Sequence, residues 1–113
     1  MGEEFKNISR EEVLEMVDTF PIKPLRRNVI VTINTDEFTG DTFETSETGF
    51  SESQFVVAKG DFVEDKVQLG DKVLIDLKSM VNRDGRLEIM PIEVGDYTFT
   101  MISDNLLKAI DNR

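Results

Sequence analysis

Residues 67–77, Val67-Gln68-Leu69-Gly70-Asp71-Lys72-Val73-Leu74-Ile75-Asp76-Leu77, read as a turn that feeds a strand. Gly70-Asp71 is a tight-turn pair: glycine reaches backbone angles that crowd other residues, and aspartate bonds to nearby backbone groups. Lys72 to Leu77 then supplies the strand. The same grammar recurs upstream. Val29, Ile30, Val31, Thr32 and Ile33 form a β-branched run, too short for a helix, with Pro24 and Asn28 punctuating its start. Phe55, Val56 and Val57 make another strand, and Gly60-Asp61 turns the chain after it. Downstream, Asp84-Gly85 is a two-residue hairpin signal between Val81 and Leu87, with Leu87 and Ile89 alternating about Glu88. Gly95-Asp96 follows Val94, and Tyr97, Phe99 and Met101 alternate with Thr98 and Thr100. After a Ser103-Asp104-Asn105 turn come Leu106, Leu107, Ala109 and Ile110. Short strands at this spacing predict an all-β fold, a small barrel or sandwich.

The N-terminal residues follow a different period. Ser9 and Glu12 have the capping-box spacing, in which the hydroxyl and the carboxylate each satisfy a free backbone N–H. Val13, Leu14, Met16, Val17 and Phe20 fall on one face, and Pro21 stops the run. The spacing predicts a helix over 9–20, packed on its own domain or docking another chain. The chain divides into an N-terminal extension, 1–22, and a β domain, 23–113.

Residues 34–53, NTDEFTGDTFETSETGFSES, fit neither period. They hold six acids and no base, are dense in Thr and Ser, and contain no aliphatic side chain. Such a segment buries too little apolar area to offset the entropy of ordering it, and long loops of this kind in small domains are most often functional or disordered. Its apolar content is Phe38, Phe43 and Phe50. These rings are candidate anchors for a partner's groove, or they fold back on the domain.

Composition removes many chemistries. The chain has 113 residues, with no His, Cys or Trp. A Ser-His-Asp triad, a cysteine nucleophile, a typical zinc site and a disulfide are therefore all out of reach. The net charge is −10. Nucleic acid and anionic membrane surfaces are poor partners for such a chain. No stretch approaches the ~18 apolar residues of a membrane span, and the acidic start MGEEFKNISREEV is unlike a signal peptide, so a cytoplasmic location is expected. Glu3-Glu4, Glu11-Glu12, Asp36-Glu37 and Glu64-Asp65 are adjacent pairs; neighbours on a strand point to opposite faces, so they read as surface charge and not as an acid–base couple. Asp36, Glu37 and Asp41 lack the spacing of a calcium loop. No phosphate-binding glycine loop is present. The chain is not expected to be an enzyme or to hold a metal or cofactor.

The order of elements resembles the GroES family of co-chaperonins. Lys23-Pro24-Leu25 followed by Asn28-Val29-Ile30-Val31 is similar to that family's opening. Residues 34–53 stand where its mobile loop stands. Phe55-Val56-Val57-Ala58-Lys59-Gly60 resembles the strand after the loop, and Val67 to Ile75 resembles its V-x-x-GD-x-V segment. Ile102-Ser103-Asp104-Asn105-Leu106-Leu107-Lys108-Ala109-Ile110 resembles its C-terminal strand. The loop departs from the family pattern, lacking a Gly-Gly followed by three aliphatics; Gly49-Phe50 or the Phe43 region takes that place. Residues 60–66 are short for a roof hairpin, and residues 1–22 have no counterpart. Such departures look more like a virus-encoded, phage-type member than a cellular one.

The resemblance implies a GroES-like barrel assembled as a homo-heptamer. Leu106, Leu107 and Ile110 of the last strand would pair with Val29, Ile30 and Val31 of the next subunit, head to tail. Phe38, Phe43, Gly49 and Phe50 would engage a chaperonin ring. Loops that are individually weak would bind tightly together. ATP would be used by the chaperonin, and client proteins would fold in the capped chamber. The main rival is a structural role, as a virion or scaffold component built on the same small barrel.

Overall fold

The computed structural model describes residues 7–35, 50–85 and 88–112. The apolar runs form strands β1 (Asn28–Thr32), β2 (Ser53–Lys59), β3 (Lys72–Ile75), β4 (Pro91–Val94), β5 (Tyr97–Ser103) and β6 (Leu107–Ile110). They make one antiparallel sheet in the order β4-β5-β1-β2-β3-β6.

The continuous apolar character of β1 follows from its central position. Val29 and Val31 face a cluster with Val56, Val63, Val73, Ile75 and Ile102. Ile30 points the other way, into a second cluster with Val57, Ala58, Phe99, Ile8 and Val13. With both faces covered, a strand has no reason to alternate with polar residues. The first cluster gathers side chains from β5 through β3, with Leu106 and Leu107 packed against it, so the sheet bends around that core. The second lies between the sheet and the N-terminal helix.

That helix, α1 (Arg10–Met16), is shorter than the 9–20 expected, and its last turn tightens into a 3-10 helix, Val17–Thr19. Pro21 forces Phe20 into an extended conformation (ψ 128°), which ends the helix. The capping box is complete: the Ser9 N–H donates to Glu12 Oε1 at 2.9 Å, and the Glu12 N–H donates to Ser9 Oγ at 3.2 Å. Val13 is fully buried, and Phe20 meets Phe99 edge-on, 5.0 Å between centroids. The helix thus packs on its own sheet. Tyr97 adds a polar tie, its hydroxyl donating to Glu12 Oε2 at 3.0 Å; that bond raises the Tyr97 pKa above the ordinary tyrosine value.

The closed barrel expected from the resemblance is not what these residues make: no ladder joins β4 to β6, and the sheet stays open. Both end strands have four residues, and β4 begins at Pro91, which has no N–H to give. Two local expectations also shift. β3 ends at Ile75, because Asp76 leads into a 3-10 helix, Leu77–Met80; the Ser79 hydroxyl donates to Asp76 at 2.8 Å and holds that carboxyl below its usual range. Asp84-Gly85 does turn the chain, with the Gly85 N–H donating to the Asn82 carbonyl and Glu88 N–H to the Met80 carbonyl. Its described flanks form only an isolated bridge residue at Val81 and irregular chain at 88–90.

Before β1 the chain makes a constrained turn. Arg26 has φ 58°, the positive-φ non-glycine among the described residues. The Arg26 carbonyl accepts the Phe62 N–H at 3.0 Å, and a Cβ on Gly60 would stand 2.3 Å from that same oxygen. Only glycine lets the two turns approach this closely.

Candidate functional site: the stem of segment 36–49

The β1 strand runs out through Ile33, Asn34 and Thr35, and the chain returns at Phe50 to enter β2. Thr35 and Phe50 pair as an isolated antiparallel bridge, and the Ser51 N–H donates to the Asn34 carbonyl at 3.0 Å. The two arms of residues 34–53 are therefore fastened to each other at their base.

Amide side chains do most of the fastening. Gln54 is buried, 4% exposed, at the start of β2. Its Oε1 accepts the Thr32 hydroxyl at 2.7 Å and the Asn34 N–H at 2.7 Å. Its Nε2 donates to the carbonyls of Asn34 at 3.0 Å and Ser51 at 2.8 Å. One side chain thereby ties both arms. The Thr32 hydroxyl is used twice, since its oxygen accepts the Phe55 N–H at 3.0 Å.

The N-terminal residues brace the outgoing arm from its other side. Asn34 Nδ2 donates to the Ile8 carbonyl and Asn34 Oδ1 accepts the Ile8 N–H, each at 2.9 Å. Asn7 repeats the device one step on: its Nδ2 donates to the Thr35 carbonyl at 3.0 Å, and its Oδ1 accepts the Thr35 N–H at 2.9 Å. Each asparagine mimics a peptide group and continues the ladder where the backbones do not pair. Ser53 anchors the returning arm to the end of the chain, donating to Asp111 Oδ2 at 3.1 Å. Among the described residues, no buried side-chain nitrogen or oxygen lacks a partner.

Phe50, expected as an exposed anchor, is half-buried. It lines a small apolar cavity of about 20 Å³ together with Val31, Ile33, Ile75, Leu77, Met80 and Ile102. Its place is at the foot of the stem, over the end of the first core. Phe38, Phe43 and Gly49 lie outside the described residues, as do Asp36, Glu37 and Asp41.

The residues expected at a subunit interface are placed as follows within the single chain. Val29, Ile30 and Val31 are buried within their own chain, and both edges of β1 are taken, by β2 on one side and β5 on the other. A strand with no free edge has no backbone groups left to pair with a neighbour. Leu106 and Leu107 pack partly buried against the first core, and Ile110 is 36% exposed. Among the described residues β6 pairs with β3 alone, which leaves its other edge open there.

The clamp around Gln54, Asn34 and Asn7 is made of amide and hydroxyl groups, which neither gain nor lose protons at ordinary pH, and the Asp111 carboxylate joins it through Ser53. No group of three or more acidic side chains gathers as a metal site among the described residues. No helix there is long and apolar enough to cross a membrane. Asn7, Asn34 and Gln54 were not legible as partners, because contacts between residues 20 to 28 apart leave no periodic trace. A faint signal existed: Gln54 is a polar residue beside an apolar run, and Asn34 directly follows one.

No family model matches the chain. No curated protein matches it either.

Proposed function

We propose that this chain is a GroES-like co-chaperonin, which presents residues 36–49 from a fixed stem to a chaperonin ring and assists ATP-dependent folding of client proteins. The observation that supports this reading best is the clamp under the segment. Four hydrogen bonds of the Gln54 side chain, with the paired bonds of Asn34 and Asn7, hold the two arms at one place on the sheet. A fixed exit point is what a set of loops needs if several are to reach their grooves together, because effective concentration depends on the geometry of the tethers.

Phe50 serves the stem, so anchoring falls to Phe38 and Phe43. They are the aromatic residues of a segment with five acids and no base. A chain of net charge −10 gains little from long-range attraction to an acidic partner, so these apolar anchors supply the affinity. Assembly uses the open ends of the sheet, β4 and β6, in place of β1. The chaperonin performs the nucleotide chemistry, and the complex works in the cytoplasm, the host's if the protein is virus-encoded.

One observation also favours the scaffold reading. A head-to-tail contact between two open sheet ends closes a ring at one rotation and grows a filament at another. The test is the ATPase rate of a chaperonin with added protein. The proposal expects a change in that rate, abolished in the double variant Phe38→Ser/Phe43→Ser while its thermal unfolding stays within about 0.5 kcal/mol of wild type. An unchanged rate with wild-type protein, alongside filaments in negative stain, would replace the co-chaperonin reading with the scaffold.

A further inference from the structure

The turn before β1 carries features that segment 36–49 and its stem do not use. Residues 19–35 contain no acid, and Lys23, Arg26 and Arg27 give them a positive charge in a chain of net −10. Two of these bases are engaged at home. Lys23 pairs with Asp61 at 3.1 Å, and Arg27 grips Asp104 through both Nε and a terminal nitrogen. Arg26 makes no salt bridge among the described residues, and it is exposed. It is also the residue held at φ 58°, where a side chain is strained and glycine or asparagine is the ordinary choice. Strain that persists at an exposed side chain points to a use for that side chain.

Its neighbours are apolar and exposed. Leu25 is 65% and Phe62 66% exposed, and both sit on turns joined by backbone bonds. The Phe62 N–H donates to the Arg26 carbonyl at 3.0 Å, and the Gly60 N–H donates to the Asn28 carbonyl at 2.8 Å. Asn28 closes its own turn by donating both its N–H and its Nδ2 to the Leu25 carbonyl. Two large apolar side chains and a guanidinium that pairs with no described acid thus stand on a braced platform that loses little freedom on binding. An apolar side chain next to an arginine is the composition of a binding hot spot.

We propose that Leu25, Arg26 and Phe62 form a docking knuckle for an acidic segment of a partner protein, one that places an aromatic or aliphatic side chain beside a carboxylate. The partner's apolar side chain packs on Leu25 and Phe62, and its carboxylate pairs with the Arg26 guanidinium. Charge selects the partner through Arg26, since the neighbouring Lys23 and Arg27 are already paired with Asp61 and Asp104. The proposal is independent of what residues 36–49 bind.

The test uses the full chain and the synthetic peptide Glu-Glu-Phe-Leu-Glu-Glu, with its lysine counterpart Lys-Lys-Phe-Leu-Lys-Lys, followed by amide chemical shifts on titration. The acidic peptide is expected to perturb residues 25–28 and 60–63 and to bind roughly tenfold more tightly than the basic one. Arg26→Gly is the informative variant. It relieves the positive φ, so it raises the melting temperature, yet it is expected to weaken the acidic peptide roughly tenfold. Phe62→Ser, at an exposed site, weakens both peptides without unfolding the chain. Equal binding of the two peptides, shifts centred elsewhere, no shifts at all, or an Arg26→Gly variant that binds as wild type does would each overturn the proposal.

Discussion

Gln54 is where a single side chain matters most. Its four bonds reach Thr32, Asn34 and Ser51 in a site closed to water, so removing it strands several buried groups at once. Gln54→Ala is expected to cost about 2–4 kcal/mol, read as a fall in the urea midpoint, and to expose the 35/50 bridge to proteolysis before the rest of the domain. Tyr97 is a subtler case. Its hydroxyl donates to Glu12, a bond that ionisation would break, and this raises its pKa, with burial and then the neighbouring negative charge adding to the effect. A raised folded pKa gives stability that is fully present below the unfolded value, about 10, and is lost as pH climbs through the folded value. Tyr97→Phe should therefore lose stability at neutral pH, read as a lower urea midpoint, and its deficit relative to wild type should shrink in strong alkali. A constant deficit across that range would show that the hydroxyl acts only through packing. Neither residue announced itself in the sequence. Tyr97 reads as one member of an alternating strand, and its partner lies 85 positions away.

Among elements, what local chemistry dictates was legible and what distant partners dictate was not. Ser9 and Glu12 marked the start of α1, because a capping box is a contact between residues three apart. The turns at Gly70-Asp71 and Gly95-Asp96 were equally plain: Gly70 and Gly95 take positive φ angles of 90° and 62°. The end of β3 was not, since Leu77 resumes the apolar pattern after Asp76 while the chain turns there into a 3-10 helix, with the Ser79 hydroxyl bonded to Asp76. Nor was the place of the N-terminal extension. Its helix buries Val13 fully against the sheet, and Asn7 and Ile8 brace the stem. α1 has seven residues, too short to persist alone, so its helicity comes from that packing. Ser9→Ala is expected to cost about 1 kcal/mol and Val13→Ala about 1–3 kcal/mol, with the circular dichroism of the helix lost together with the sheet in one transition. A separate early helical transition would mean that the extension is a loosely attached arm.

At the scale of the molecule, the sheet order states which assemblies are open to this chain. β1 lies inside, fully paired, and β4 and β6 are the ends. The predominance of sheet and the buried strand in the Val29–Ile33 run were readable, because a β-branched run flanked by turn residues has few other fates; that both of its edges are paired within the chain was not. The open sheet was not, because closure depends on two short end strands whose ladders no sequence period reports. The acidic segment was readable as an interruption, but the amide clamp beneath it emerged only in three dimensions. On the proposed function, this clamp presents residues 36–49 to a chaperonin. The decisive measurement is native mass spectrometry of the full chain, alone and mixed with a chaperonin and ATP. A closed ring of this chain that shifts intact onto the chaperonin is expected, and no such shift when residues 36–49 are replaced by a glycine-serine linker of equal length. A wild-type chain that forms no complex with the chaperonin, or a linker variant that binds as well as wild type, would contradict it.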